Sequence, residues 1–280
     1  MNMKCINFDE QFERYMRQWV KENEKRFEGN MDAMEEEMPE VYMRFINQKA
    51  DWLDGETPAM YFHQFQDVNV LVGGMIEYFN KKIPVPDQLL ERIVDMGAAA
   101  EERLMRLMTD KTAPYEAVLT AITLLRELDS TRPMQLYIDM IAQCPVAHEQ
   151  ADMCAESLRN MGDRVVEPIL EALPDATEQA QEVFLDILCN YPGDDRIYTL
   201  AARKFAENDD RRALFASYLG KLGDDRALPM LKEAAMDEKT NYLDYVEICN
   251  AIEELGGELP PEREFSGDPY YESLRQMAEK

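Results

Sequence analysis

Six short apolar stretches, each running into a turn, end at Met96, Leu128, Met161, Tyr191, Leu222 and Leu255. The intervals between them are 32, 33, 30, 31 and 33 residues. A period of that length fits a helix–turn–helix unit. Repetition of such a unit specifies a solenoid in which each copy buries its apolar face against the next.

The register around these six points is regular. Three residues before them stand Ile93, Leu125, Leu158, Leu188, Leu219 and Ile252; seven before stand Leu89, Ala121, Cys154, Phe184, Phe215 and Ile248. Positions 0, −3 and −7 share one face of an α-helix, so each point is expected to end an amphipathic first helix. Nine residues after the first five stand Met105, Tyr137, Leu170, Leu200 and Leu231, the expected core of a second helix.

Turn chemistry repeats as well. Gly97, Gly162, Gly193, Gly223 and Gly256 follow the first helices, where a left-handed residue ends a helix. Asp163, Asp194, Asp224 and, without a glycine, Asp129 come next and are expected to cap the second helix. Arg132, Arg164, Arg196 and Arg226 follow within three residues, and Pro133, Pro168 and Pro229 fall in or near the first turn of the second helix.

The strings Leu-Gly-Lys-Leu-Gly-Asp-Asp-Arg-Ala-Leu-Pro-Met-Leu, from Leu219 to Leu231, and Leu-Arg-Asn-Met-Gly-Asp-Arg-Val-Val-Glu-Pro-Ile-Leu, from Leu158 to Leu170, resemble HEAT-like repeats. They look closest to the short variety of the phycobilisome-lyase type. The resemblance covers residues 87–258 and implies an all-α fold, a right-handed α-α superhelix. Residues 1–82 lack the motif and form an N-terminal helical region. The Ile83-Pro84-Val85-Pro86-Asp87 joint follows them, and residues 259–280 form a C-terminal cap.

Within the N-terminal region, helices are expected over residues 8–28, with Phe12, Tyr15, Met16 and Trp19 as the stripe, and over 31–48, with Gly29-Asn30 as the stop between them. Glu35, Glu36, Glu37 and Glu40 then answer the positive end of the second helix. After a turn at Trp52-Leu53-Asp54-Gly55, a third helix is expected from a Thr57-Pro58 cap to Asn80, with Gly73-Gly74 marking a close helix crossing or a kink. In the tail, Asp268 and Pro269 are the expected N-cap and first residue of a closing helix that carries Tyr270, Tyr271, Leu274 and Met277.

Composition then bounds function. With 46 % hydrophobic residues the chain is no disordered polyanion, so its net charge of −26 sits on a folded body. Such a surface repels phosphate backbones, and no Lys/Arg run is longer than two, so nucleic acid is excluded as a partner. The charge is expected to keep a monomer soluble; the alternative reading is attraction to a basic partner. The longest apolar run, Val68 to Ile76, is too short for a membrane span, and Met1 to Asp9 has no signal-peptide core. Five irregularly spaced cysteines, Cys144, Cys154, Cys189 and Cys249 among them, fit reduced thiols in a cytoplasm.

No catalytic constellation emerges. Cys144, His148 and Cys154 match no zinc spacing, and His63 reads as a satisfied polar residue between Phe62 and Phe65. Ser130, Ser157, Ser217, Ser266 and Ser273 lack a nucleophile elbow, and no phosphate loop occurs. The repeated aspartates read as caps. No cofactor and no metal is expected.

In HEAT-like solenoids the second helices line a concave face that binds extended partners. Residues seven, ten or eleven after the repeat points are expected on that face: Arg103, Arg106, Gln135, Asp139, Glu171, Tyr198 and Lys232. The reading is a noncatalytic scaffold for a protein or peptide. Attachment or chaperoning of a bilin-type prosthetic group is implied by the repeat resemblance alone. An acidic mimic of DNA agrees with the charge but has no motif, and a DNA glycosylase would need a basic groove that the charge opposes.

Overall fold

The computed structural model describes residues 3–27, 30–143, 148–261 and 263–278. The described residues form helices and their connections, with no strand among them. The fold is all-α. Contacts divide the chain into two compact units, Met1–Pro133 and Met134–Lys280.

The first unit holds α1 (Phe8–Phe27), α2 (Met31–Asn47), α3 (Val68–Lys81), α4 (Asp87–Asp95), α5 (Ala98–Thr109) and α6 (Tyr115–Glu127). Helices α1 and α2 pack as a pair through Phe12, Tyr42 and Phe45. Gly29 lies outside the described residues; Asn30 caps α2 by accepting from the Ala33 amide at 3.2 Å. Glu37 pairs with Arg26 of α1, so one member of the acidic cluster links the two helices.

The third helix starts later than its periodicity predicts. Residues Tyr61–Gln64 form a single 3-10 turn, Phe65 is extended, and α3 begins at Val68 with Asp67 accepting from the Asn69 amide at 2.8 Å. Tyr61, Phe62 and Phe65 are all buried. Burying three aromatics from one short segment outweighs continuing the helix, and the competing Asp67 cap fixes the new start. Gly73-Gly74 marks no close helix crossing. A side chain at Gly74 would strike Met3 of the N-terminal segment rather than a crossing helix, and Gly73 faces open space. Tyr78 of α3 ties that segment down, its hydroxyl accepting from the Ile6 amide and donating to the Ile6 carbonyl, both at 3.0 Å. The Pro84–Pro86 joint falls inside this unit, and α3 packs on α4, α5 and α6 beyond it.

The second unit holds α7 (Met134–Ala142), α8 (Glu149–Asn160), α9 (Val166–Ala172), α10 (Glu178–Leu188), α11 (Asp195–Glu207), α12 (Arg212–Leu222), α13 (Leu228–Met236), α14 (Tyr242–Glu254) and α15 (Pro269–Ala278). Consecutive helices pack as α7–α8, α9–α10, α10–α11, α11–α12 and α13–α14. Alternate ones meet as α7–α9, α8–α10 and α12–α14. Helices α12 and α14 cross closely at Gly220, where a Cβ would lie 3.1 Å from Ala251 Cα and 3.3 Å from its Cβ. A side chain there would press the two helices apart by a few tenths of an ångström.

The apolar register holds at every copy. Met96, Leu128, Met161 and Leu255 are the C-caps of α4, α6, α8 and α14, and Leu222 is the last residue of α12. Tyr191 falls two residues past the cap of α10, Cys189. All twelve residues at −3 and −7 are fully buried. The glycines after the first helices all have positive φ, and Asp129 takes that same left-handed place at φ 51°. Asp129 is therefore a helix stop rather than a cap; Ser130 accepts from the Arg132 amide in its stead.

The second-helix register is less regular. Tyr137 and Leu231 are buried as expected, but Met105, Leu170 and Leu200 are half-exposed. A 3-10 turn at Gly162–Val165 advances the chain by fewer residues per turn, so Val165 and Ile169 enter the core in place of Leu170. Tyr191 stands beyond its helix, so counting from it lands on Leu200, between the buried Ile197 and Ala201.

At the C-terminal end Asp268 caps α15, accepting from the Tyr270 and Tyr271 amides, and its other oxygen accepts from the Tyr242 amide at the start of α14. Phe265 is buried among Tyr242, Tyr245 and Tyr271. The Arg263 guanidinium stacks on Phe265, 4.3 Å from its centroid, and donates to the Asp237 and Thr240 carbonyls.

Candidate functional site

The recurring Asp and Arg residues form a ladder. In one turn Asp194 accepts from the Arg196 amide at 2.8 Å; in the next Asp224 accepts from the Arg226 amide at 3.0 Å. Each guanidinium then returns to its own cap and also reaches an acid one repeat back. Arg196 meets Glu167, Arg226 meets Asp195 at 2.7 Å, and Arg132 meets Glu101 and Glu102 at 2.5 and 2.9 Å. Residues 133–135, where Arg164 would look for an acid on the same spacing, are Pro, Met and Gln.

These contacts favour the charged form of the carboxyls. Hydrogen bonds from Arg196 hold Asp194 and Glu167 below the usual carboxylate range, and Arg226 does the same for Asp224. Glu101 is lowered first by the Ser130 hydroxyl and then by Arg132; Glu102 is lowered first by Arg132 and then by Arg106. Carboxylates so held accept hydrogen bonds and make poor proton donors at neutral pH.

The seven stripe residues fall on five helices. Arg103 is half-exposed on α5, and the exposed Arg106 pairs with Glu102 one turn back at 3.1 Å. On α7, Gln135 and Asp139 meet in a 2.8 Å hydrogen bond. Glu171 is exposed on α9 and Lys232 half-exposed on α13. The Tyr198 ring, on α11, lies 4.3 Å from the Arg226 guanidinium, which covers one of its faces. Tyr198 is thus joined to the ladder.

The more distinctive surface is one that spacing did not single out. Leu170 of α9, Leu173 of the following turn and Leu200 of α11 stand half-exposed in a groove of about 530 Å³, with Thr199, Arg196 and Arg203 beside them. The Gln181 amide donates to the Leu173 and Ala176 carbonyls, fixing that turn. A second groove of about 580 Å³ lies one repeat on, between Phe205 and Ala206 of α11 and Met230 and Ala234 of α13. The signal in the sequence was the aliphatic pair at Leu170 and Leu200, read there as core.

Side chains with reactive potential are occupied structurally. His148 caps α8, its Nδ1 accepting from the Gln150 amide at 3.3 Å, and Cys154 is buried; Cys144 lies outside the described residues. His63 departs from its expected satisfied state: its Nε2 stands 3.7 Å from Asp95, beyond hydrogen-bond reach, and its Nδ1 is buried with no hydrogen-bond partner. Ser157 and Ser217 donate to the Met153 and Leu214 carbonyls. Burial raises the Cys5 and Cys249 thiols and pushes Cys189 up to about 11. Among the described residues no three of His, Cys, Asp and Glu are grouped to hold a metal ion, and no helix is long and apolar enough to cross a membrane.

No family model matches the chain, and neither does any curated protein or solved structure.

Proposed function

We propose that the chain is a HEAT-like solenoid, a right-handed α-α superhelix, which acts in the cytoplasm as a noncatalytic scaffold for a protein or peptide. The groove floored by Leu170, Leu173 and Leu200 carries this reading. Half-exposed aliphatic side chains between successive second helices offer an anchor point, and a similar groove recurs one repeat later. An extended partner placing one apolar side chain per groove would match that spacing. The net charge of −26 favours a partner that is basic overall and speeds its approach.

The ladder supports the solenoid part of the reading, because Arg132, Arg196 and Arg226 each reach an acid 29 to 31 residues back, about one repeat. The test is to pan a random peptide display library on the protein and measure enriched peptides by calorimetry. Leu200→Asp is expected to weaken binding at least about tenfold, since it places a charge in the apolar anchor site. Leu243→Asp, at an exposed leucine outside the groove, is expected to leave it unchanged. Enriched peptides indifferent to Leu200→Asp would overturn the assignment.

A further inference from the structure

A separate cavity lies among the N-terminal helices, where the repeat register plays no part. It measures about 250 Å³ and is lined by Phe8 and Phe12 of α1, Tyr42 and Phe45 of α2, and two acids, Asp9 and Asp87. Phe12 and Tyr42 meet at 89° with centroids 5.2 Å apart, and Phe45 stands at 53° to Phe12 with centroids at 5.1 Å. Rings meeting at a right angle make a corner in which one cation lies within about 6 Å of both centroids, the range of cation–π attraction. Gln88, almost fully buried, donates to the Tyr42 hydroxyl at 3.0 Å and holds that ring in place.

Electrostatics point the same way. Asp9 and Asp87 are exposed, and neither enters an ion pair among the described residues. They stand in the first turns of α1 and α4, whose helix ends each carry about half a positive charge. Two full negative charges exceed two such halves, leaving about one negative charge for a ligand to neutralise. No lysine or arginine lines the cavity.

We infer that this cavity binds the head of an alkylated ammonium ion, with the Phe12–Tyr42 corner facing the cation and Asp9 and Asp87 balancing its charge. The volume takes a trimethylammonium head and not a folded peptide. Alkylation also matters, because aromatic walls cannot replace the water hydrogen bonds of a bare ammonium, whereas a trimethylammonium group donates none. Two sources present this head group: a free quaternary amine and a trimethylated lysine side chain. The site does not depend on the grooves of the second unit.

The test titrates the whole protein with choline and with its neutral isostere 3,3-dimethyl-1-butanol. The readouts are calorimetry and the fluorescence of Trp52, which packs on Phe8 and Phe45. Choline is expected to saturate and to bind at least about tenfold more tightly than the isostere. Tyr42→Leu, and separately Asp9→Asn combined with Asp87→Asn, are each expected to weaken choline by about tenfold or more with unchanged far-UV circular dichroism. A second arm compares a short trimethyllysine peptide with its unmethylated twin. Preference for the peptide over choline assigns a protein-borne head group, and the reverse assigns a free amine. Equal binding of choline and isostere, no saturable binding of choline or the methylated peptide, or binding untouched by the substitutions would each overturn the inference.

Discussion

Arg196 grips Glu167 through two parallel hydrogen bonds, Nη1 to Oε1 at 2.9 Å and Nη2 to Oε2 at 2.7 Å, across 29 residues of chain. Fork-to-fork geometry of this kind fixes direction as well as distance, so the pair sets how one repeat turn lies on the preceding second helix. Its members are well exposed, which limits what it adds to stability.

Removing that rung tests both statements. Arg196→Gln is expected to lower Tm only slightly, on the order of a degree or two, with the effect shrinking further in high salt. A large fall would show that the ladder, and not the buried register, holds the repeats together. Differential scanning calorimetry at low and high salt reads it.

The same variant carries a pH signature. Asp194 and Glu167 have folded pKa values below their unfolded ones, so their contribution is full above the unfolded carboxylate range near 4 and is lost as pH falls through the folded values. The Tm gap between wild type and Arg196→Gln is expected to stay constant from about pH 8 to pH 6 and to close below about pH 4. A gap that widened on acidification would have the wrong sign for this ladder.

Core and groove separate sharply under alanine substitution. Leu188 is fully buried, and Leu188→Ala is expected to cost about 2–5 kcal/mol in denaturant unfolding. Leu200 is half-exposed in the groove, and Leu200→Ala is expected to cost less than about 1 kcal/mol. Equal costs would mean that Leu200 belongs to the core.

Backbone strain is isolated at Gly223. Its φ is +66°, and a Cβ there meets nothing within 4 Å, so any penalty for a side chain comes from conformation alone. Gly223→Ala is expected to destabilise by about 1 kcal/mol, and Gly223→Asn by less, since Asn tolerates the left-handed region better. Asp129 already occupies that conformation in its own turn. Chemical denaturation of the pair measures the difference.

Asp268 serves three amides at once, those of Tyr242, Tyr270 and Tyr271. Asp268→Ala is expected to speed hydrogen exchange at these amides by roughly tenfold, with little change in the helices of the first unit. Exchange that stayed slow would show that the aromatic packing of Phe265 suffices to hold the tail.

The first-helix core was legible in the sequence because apolar positions at −3 and −7 depend only on helical period, and all twelve are buried. Legibility weakened wherever a local turn changed the count. The 3-10 turn at Gly162–Val165 carried Leu170 out of the core, and the aromatic segment before Asp67 interrupted a helix that periodicity alone would continue. The arginines were visible as a repeated element, yet their acids stand a whole repeat earlier and gave no short-range signal. Groove and cavity were hidden for a related reason. Leu200 and Tyr42 look like ordinary members of apolar stripes, and their partial exposure depends on how far neighbouring helices stand apart.

The reach of Asp268 back to Tyr242 also sets an order in time. The Tyr242 amide waits for an acceptor 26 residues downstream, and the Asp237 and Thr240 carbonyls wait for Arg263. At about 5–20 residues per second of synthesis, α14 emerges on the order of one to five seconds before those partners exist. During that interval Tyr242 and Tyr245 have no Phe265 to cover them. The turn before α14 and the rings of Tyr242 and Tyr245 thus stay open to solvent until translation has passed residue 268.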